Sequence, residues 1–249
     1  MKFINKFQSK NYNRRKAGKI KYIILHYTAL ADLKNAVSFL CNKKKKVSCH
    51  YLISQKGDVY NLVSDDKRAW HAGLSKWESD NDINSLSIGV ELDFSFNNNN
   101  NKYSSKLTNS LIKLLKHISY KYNISNRNIL GHSDIAPLRK IDPGPTFCWK
   151  KLAKYNLAFY PKKNFRKYNK SLENWLSNIQ KISKKNKSIF MLSLIGYNVD
   201  EVTEDNKKFK KLITNYQSHY NQNNVTGKLD NITYNFIKNH VLNLVLTKN

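Results

Sequence analysis

Apolar and polar positions form two patterns in the first part of the chain. Short apolar runs typical of buried strands recur at residues 22–25, 50–54, 59–63, 87–92 and 129–130. The turn at Gly57, between the second and third runs, indicates a hairpin. Apolar residues at helical spacing predict helices around 33–41 and 107–118. Strands that alternate with helices predict an α/β fold, with a mixed central sheet flanked by helices.

A different pattern begins near residue 160. Residues 160–170 are rich in Lys and Asn and contain a proline, which is typical of a linker. Beyond them, apolar spacing predicts helices at residues 172–182, 189–194, 209–216 and 234–246. The predicted organisation is a polar N-terminal arm (1–19), a sheet domain (20–159), the linker (160–170) and a small all-α helical domain (171–249).

The chain is strongly basic, with a formal net charge of +27 over 249 residues, and its 40% hydrophobic content excludes disorder throughout. Its lysines are scattered over nearly every polar stretch, including 43–46, 162–167 and 181–187. A nucleic-acid-binding protein would concentrate the charge on one face. We therefore expect no specific nucleic acid partner, although that class stays a rival interpretation. Attraction to an anionic polymer such as a cell wall is compatible with the charge.

The first 20 residues and the cysteines indicate little about the chemistry of the protein. The first 20 residues are basic but lack the apolar core of a signal peptide, and no run approaches the ~20 apolar residues of a membrane span. The sequence therefore predicts no transmembrane segment, a cytoplasmic location and, by default, a monomer. The three cysteines, Cys41, Cys49 and Cys148, show neither metal-ligand nor redox spacing.

Two histidines directly follow apolar runs that are predicted to be strands. His26 follows the first run, His132 follows the last one, and Asp142 lies ten residues further on in a proline-rich loop. Two imidazoles and one carboxylate suit a tetrahedral Zn²⁺ with one position open to water. Spacing alone leaves the alternative open that these histidines are structural. We expect a structural or surface role for three other histidines, His117, His219 and His240.

Glu91 is a carboxylate within an apolar strand, where burial would raise its pKa and suit it to general acid/base work. It could instead pair with a Lys or Arg. Lys140 lies two residues before Asp142, where it could stabilise an oxyanion, or it could be one more solvated lysine.

Five ordered segments between residues 20 and 150 carry a family resemblance: IILHYT, SCHYLISQKGDVY, KRAWHAG, SIGVEL and GHSDIAPLRKIDPGP. The chain resembles the zinc-dependent N-acetylmuramoyl-L-alanine amidase type 2 family in its AmiD/AmpD-like branch, which is related to peptidoglycan recognition proteins. The resemblance implies one Zn²⁺ per chain held by His26, His132 and Asp142. It also implies Glu91 as the catalytic acid/base and Lys140 as the residue that stabilises the oxyanion.

Other roles follow from the same resemblance. Arg68, Trp70 and His71 are expected to contact the substrate, although Trp70 could be a core aromatic. His50 is expected to support the site through a hydrogen bond. Cys148 is an alternative metal ligand in place of Asp142, because some relatives of this family carry a cysteine ligand.

The resemblance extends past the sheet domain. The segments LSLIGY, YQSHY and GKLDNIT resemble a three-helix peptidoglycan-binding domain. The implied activity is hydrolysis of the amide between N-acetylmuramic acid, including its 1,6-anhydro form, and L-alanine, with peptidoglycan or muropeptide as the partner. A non-catalytic muramyl-peptide-binding protein is the alternative. Exported AmiD-type relatives make the periplasm or outer membrane the alternative location.

Overall fold

A five-stranded mixed sheet forms the centre of the protein in the computed structural model, which describes residues 2–16, 18–96, 102–161, 166–179 and 183–246. The strands are β1 (Tyr12–Arg14), β2 (Tyr22–Tyr27), β3 (Tyr51–Ile53), β4 (Val59–Asn61), β5 (Lys67–Ala69), β6 (Ser87–Leu92) and β7 (Ile129–Gly131). The order in the central sheet is β4-β3-β6-β2-β7. The β3–β4 hairpin is antiparallel, and the other pairs in this sheet are parallel. The predicted mixed sheet and hairpin are confirmed.

Helices surround this sheet. They are α1 (Leu33–Cys41), α2 (Ile83–Leu86), α3 (Ser105–Tyr122), α4 (His132–Ile135), α5 (Trp149–Lys154), α6 (Arg166–Ile179), α7 (Lys184–Ile195), α8 (Asn206–Tyr220) and α9 (Asn231–Leu246). Several begin at side-chain caps: Asp32, Ser104 and Asp205 each accept a hydrogen bond from a backbone N–H of the first turn. The helices α2, α4 and α5 were not predicted, because such short helices have too few turns to show a periodic pattern in the sequence.

The two faces of the sheet are covered by different parts of the chain. Alternate residues of β2 point to opposite faces, so Ile23 and Leu25 pack in a core with α3. Tyr22 and Ile24 pack in a second core that includes residues from α7, α8 and α9. The C-terminal helices therefore form the second layer over the sheet.

The predicted linker at 160–170 overlaps a helix, since α6 begins at Arg166. Residues 162–165, which belong to the same prediction, lie outside the described residues. The polar N-terminal arm lies on the sheet domain: β1 pairs with β5, and Ile4 bridges to Tyr60. Within the described ranges, no helix is long and apolar enough to cross a membrane.

Candidate active site

The carboxyl ends of three parallel strands bring the chemistry-bearing residues to one edge of the sheet. His26 on β2 is paired in register with Glu91 on β6. His132 follows directly after β7, which pairs with the other side of β2. Side chains alternate between the two faces of a strand, so the observed register of β2 with β6 sets His26 and Glu91 beside each other at this edge.

Three atoms converge at this edge. The Nδ1 atoms of His26 and His132 lie 3.0 Å apart, and each lies 3.1 Å from Oδ2 of Asp142. His26, His132 and Asp142 form the one group of three metal-ligand side chains found in the part of the chain that the structure describes. These separations suit atoms that share one ion at ~2.0–2.2 Å, the range for Zn²⁺ with imidazole and carboxylate ligands. The donor set therefore fits a metal ion.

Asp142 is positioned by the backbone that leads back to His132. The N–H of Ser133 donates to the carbonyl of Asp142 (2.8 Å), and the Asp142–Pro143 peptide bond is cis. A Cβ atom at Gly131 would lie 2.7 Å from Cδ of Pro143, so only glycine fits there. Burial by itself would raise the pKa of Asp142, but the charges and hydrogen bonds of His132 and His26 hold it below its ordinary value.

A chain of hydrogen bonds orients His26. With Nδ1 facing the ligand group, its Nε2–H donates to Nδ1 of His71 (3.1 Å), and Nε2–H of His71 donates to Oγ of Ser87 (3.2 Å). The Ser87 hydroxyl ends the chain by donating to the carbonyl of Ile83 (2.5 Å). Burial first, and then the neighbouring His132, lower the pKa of His26 to about 4. The imidazole is thus held neutral, as a metal ligand must be.

His132 and His71 are supported by backbone groups. The Nε2–H of His132 donates to the carbonyl of Ala72 (3.0 Å), which also fixes its tautomer. The side-chain oxygen of Asn84 accepts from the N–H groups of His71 (3.0 Å) and Ala72 (2.8 Å). The ring of His71 packs on Gly89, where a Cβ atom would approach the ring to 2.4 Å. The rings of His26 and His132, the two histidines of the three-residue group, therefore have fixed orientations.

Glu91 faces the same cavity, and one of its two carboxylate oxygens has no hydrogen-bond partner among the described residues. Its Oε2 atom is buried, and no described residue bonds to it. Burial raises the pKa of Glu91 to about 8; the Asp142 carboxylate adds to the rise and the Lys140 ammonium opposes it. A buried carboxylate with a raised pKa and a free oxygen can take up and release a proton near neutral pH.

The cavity at this edge has a volume of about 310 Å³. The sequence-predicted residues that line it are His26, His71, Glu91, His132, Lys140 and Asp142. Tyr27, which was not among the predicted site residues, also lines this cavity. Burial, with smaller effects of Asp142 and Glu91, raises the pKa of Tyr27 to about 12. Its place directly after His26 at the end of β2 was the available signal.

Arg68 and Trp70 do not line this cavity. Arg68 forms an ion pair with Asp82 (2.8 Å) and borders a neighbouring cleft of about 720 Å³. Trp70 donates from its indole N–H to Asn13 in the N-terminal arm (2.6 Å). Because Arg139 lines both the cavity and the cleft, the two spaces adjoin. The structure thus brings together six of the eight predicted site residues.

His50 lies behind the site, in line with its expected supporting role. It is fully buried; its Nδ1 accepts from the N–H of Gly89 (2.9 Å), and its Nε2 contacts the carbonyl of Lys67 (3.1 Å). Cys148, the alternative ligand, is not part of the three-residue group.

The fold and this geometry define a class: mixed-sheet α/β proteins in which two imidazoles and a carboxylate are placed so that they could hold one metal ion, with a second carboxylate in the same cavity. A family model described as N-acetylmuramoyl-L-alanine amidase matches residues 16–145, which is more than half of the chain. The chain belongs to this amidase family.

Relatives with curated names agree with this assignment. The chain is 35% identical over 159 residues to the N-acetylmuramoyl-L-alanine amidase AmiD of Escherichia coli, covering 57% of this chain and 55% of the relative. It is 38% identical over 108 residues to the 1,6-anhydro-N-acetylmuramyl-L-alanine amidase AmpD of Citrobacter freundii, covering 42% and 54%. The chain thus spans about half the length of the curated relatives it matches.

Solved structures match over a longer range. AmiD from E. coli, in complex with the substrate anhydro-N-acetylmuramic acid-L-Ala-D-gamma-Glu-L-Lys, aligns with a TM-score of 0.75 and 27% identity, covering 93% of both chains. AmpDh3 from Pseudomonas aeruginosa, in complex with anhydromuramic pentapeptide, aligns with a TM-score of 0.73 and 26% identity, covering 99% of this chain and 98% of the other. The likeness includes the C-terminal helices.

Proposed function

We propose that the protein hydrolyses the amide bond between the lactyl group of N-acetylmuramic acid and the L-alanine of the stem peptide. The observation that carries this proposal is the unpartnered Oε2 of Glu91 beside the three-ligand group in one cavity. A protein that only binds muramyl peptides has no need of a buried carboxylate with a raised pKa. The names of AmiD and AmpD support the same reaction.

His26, His132 and Asp142 would hold one Zn²⁺ per chain. When bound, this ion supplies Lewis-acid polarisation of a carbonyl and lowers the pKa of a water molecule to about 7. Glu91 takes a proton from the attacking water and then delivers it to the leaving nitrogen of L-alanine. Lys140 provides positive charge for the oxyanion of the tetrahedral intermediate.

The substrate class is muropeptides, with or without the 1,6-anhydro end. The two structural relatives were solved with anhydro-muramyl peptides, which supports including this form. His71 has both ring nitrogens engaged by His26 and Ser87, so its part in the site is support of His26. Arg68 borders the neighbouring cleft, so it contacts the substrate only where the peptide stem extends into that cleft. Trp70 lines neither the cavity nor the cleft, so the structure does not support its predicted contact with the substrate.

Three further expectations remain proposals. They are the division into a sheet domain and a peptidoglycan-binding helical domain at 171–249, the monomeric state and the cellular location.

The function is tested by mass spectrometry of purified muropeptides, with and without the anhydro end, after incubation with zinc-loaded protein. Release of stem peptides that begin with L-alanine, abolished by a chelator, is the expected result. If the muropeptides stay intact but bind to the protein, the result would contradict the amidase proposal and favour a non-catalytic muramyl-peptide-binding protein. The ratio of the two cleavage rates gives the preference for the anhydro form.

A further inference from the structure

Two of the three ligand residues lie on one irregular segment, which we call the ligand loop (residues 132–147). It carries His132, Lys140 and Asp142. Its backbone has few regular hydrogen bonds of its own beyond α4, so several of its carbonyl groups need partners from elsewhere. Those partners come from the C-terminal helices, more than 70 residues further along the chain.

Side-chain amides bind the loop carbonyls at two places. Nδ2 of Asn215, near the end of α8, donates to the carbonyls of Pro137 (2.6 Å) and Lys140 (2.8 Å). Nε2 of Gln222, just after α8, donates to the carbonyls of Pro145 (2.6 Å) and Phe147 (2.7 Å). The two amides therefore hold the loop on both sides of Asp142.

A buried carboxylate fixes the start of the loop. Asp134 accepts from Nδ1 of His219 in α8 (2.8 Å), from the hydroxyl of Tyr197 after α7 (2.7 Å) and from the N–H of Gly131 (2.7 Å). The ring of His219 is stacked on Trp149 at 3.7 Å between centroids. His219 and Asp134 are both fully enclosed, so this contact orders the residues next to His132.

From these contacts we propose that Asn215, His219 and Gln222 are positioning residues, and that α8 holds His132, Lys140 and Asp142 in the geometry required for metal binding and catalysis. The proposal rests on the proposed function for its catalytic part. The segment Tyr216–Tyr220 belongs to the part of the sequence that resembles a peptidoglycan-binding domain. All of its residues are buried. Displacing catalytic groups by ~1 Å can cost about 10²-fold in rate, so such supports matter for turnover as well as for stability.

The test compares Asn215→Leu with Gln217→Met. The two residues lie on the same helix and are both buried (3% and 0% exposed), but Gln217 bonds only within the C-terminal region, to residues 226–228 and Thr233. Hydrogen–deuterium exchange of residues 132–147 is measured in the metal-free proteins, and release of bound zinc to a chelator in the loaded proteins. Thermal unfolding gives the stability of each variant.

In Asn215→Leu, exchange in the ligand loop and the rate of zinc release should each rise by about tenfold or more. Gln217→Met should leave both within about twofold, whatever its effect on thermal stability. A milder pair, Gln222→Ala and Thr233→Val, serves if a larger change prevents folding. Equal effects within a pair, in proportion to lost stability, would overturn the positioning role. A wild-type protein that binds no zinc would overturn the proposed function, and the exchange measurement would still decide the role of α8.

Discussion

The proposed metal site has two halves that are built differently. His26 and Glu91 lie on neighbouring strands of the sheet, paired in register, and the orientation of His26 is supported through His71 and Ser87. His132 and Asp142 belong to the ligand loop, whose Pro137 carbonyl and Asp134 carboxylate are bonded by side chains of α8. One half is fixed by strand pairing, and the other by side chains of a distant helix.

The two halves of the site are therefore positioned by different kinds of contact. Strand register places His26 beside Glu91, because slipping by one residue would turn every side chain of β2 to the opposite face of the sheet. The ligand loop has no such constraint, so directed hydrogen bonds must position it. Substitutions of His26 or Glu91 should therefore change metal binding or proton transfer directly. Substitutions of the supporting residues of α8 should change them indirectly, by displacing the ligand loop.

The largest expected effect is the same in both halves. His26→Ala and Asp142→Ala each remove one of three ligands, so each should lose stoichiometric zinc and all measurable amide hydrolysis. Metal content by mass spectrometry and the muropeptide assay measure this. His117→Ala, at an exposed position outside the site, is the control. Full zinc retention in either ligand variant would mean that its half does not bind the metal.

Glu91→Gln separates proton transfer from metal binding in the sheet half, since it removes the proton acceptor but none of the three ligands. Turnover should fall by about 10²–10⁴-fold while zinc content stays unchanged, because general acid/base groups contribute in that range. Glu173→Gln, which alters a carboxylate paired with Lys187 and Lys238, is the control. A loss of less than about tenfold would remove Glu91 from the acid/base role.

His71→Phe tests the support of His26. It removes the hydrogen bonds to His26 and Ser87 while keeping a ring over Gly89, so zinc affinity should fall by about 10–100-fold. Competition with a chelator of known affinity measures this. His240→Phe changes an equally buried histidine in the C-terminal core and should leave zinc affinity unchanged. If both variants bind zinc as the wild type does, the chain from His26 to Ser87 has no role in metal binding.

The smallest expected effect concerns His50. Burial first, and then the nearby Arg15, lower its pKa from 6.5 to about 4, so the folded protein keeps it neutral where the unfolded chain takes up a proton. Its contribution to stability is complete above pH 6.5 and is lost as the pH falls toward 4. His50→Gln should flatten the pH dependence of metal-free unfolding in this window by up to ~1.4 kcal/mol per pH unit. An unchanged slope in denaturant titrations would contradict this.

The sheet half could be predicted from the sequence because its signals are local. The apolar run before His26, and Glu91 within another run, specify strands and their polar exceptions. The pairing of His26 with Glu91 agrees with the predicted sheet. Family resemblance, more than spacing, selected Asp142.

The support of the loop half could not be predicted. Asn215 and His219 are polar residues on an amphipathic helix, and nothing in their spacing indicates that they bind carbonyl or carboxylate groups near Asp142. Such contacts depend on how α8 packs on the sheet, which is a property of the tertiary structure. The same reason explains why Trp70, in a segment that matches the family, bonds to the N-terminal arm instead of lining the cavity.

The central claim is that His26, His132 and Asp142 hold the one metal ion that amide hydrolysis requires. The most direct measurement is a titration of metal-free protein with Zn²⁺, in which bound zinc and the rate of muropeptide cleavage are followed together. Activity should rise from background and saturate at one ion per chain, and Asp142→Ala should show neither stoichiometric binding nor activity. Full activity without metal, or wild-type zinc binding in Asp142→Ala, would contradict it.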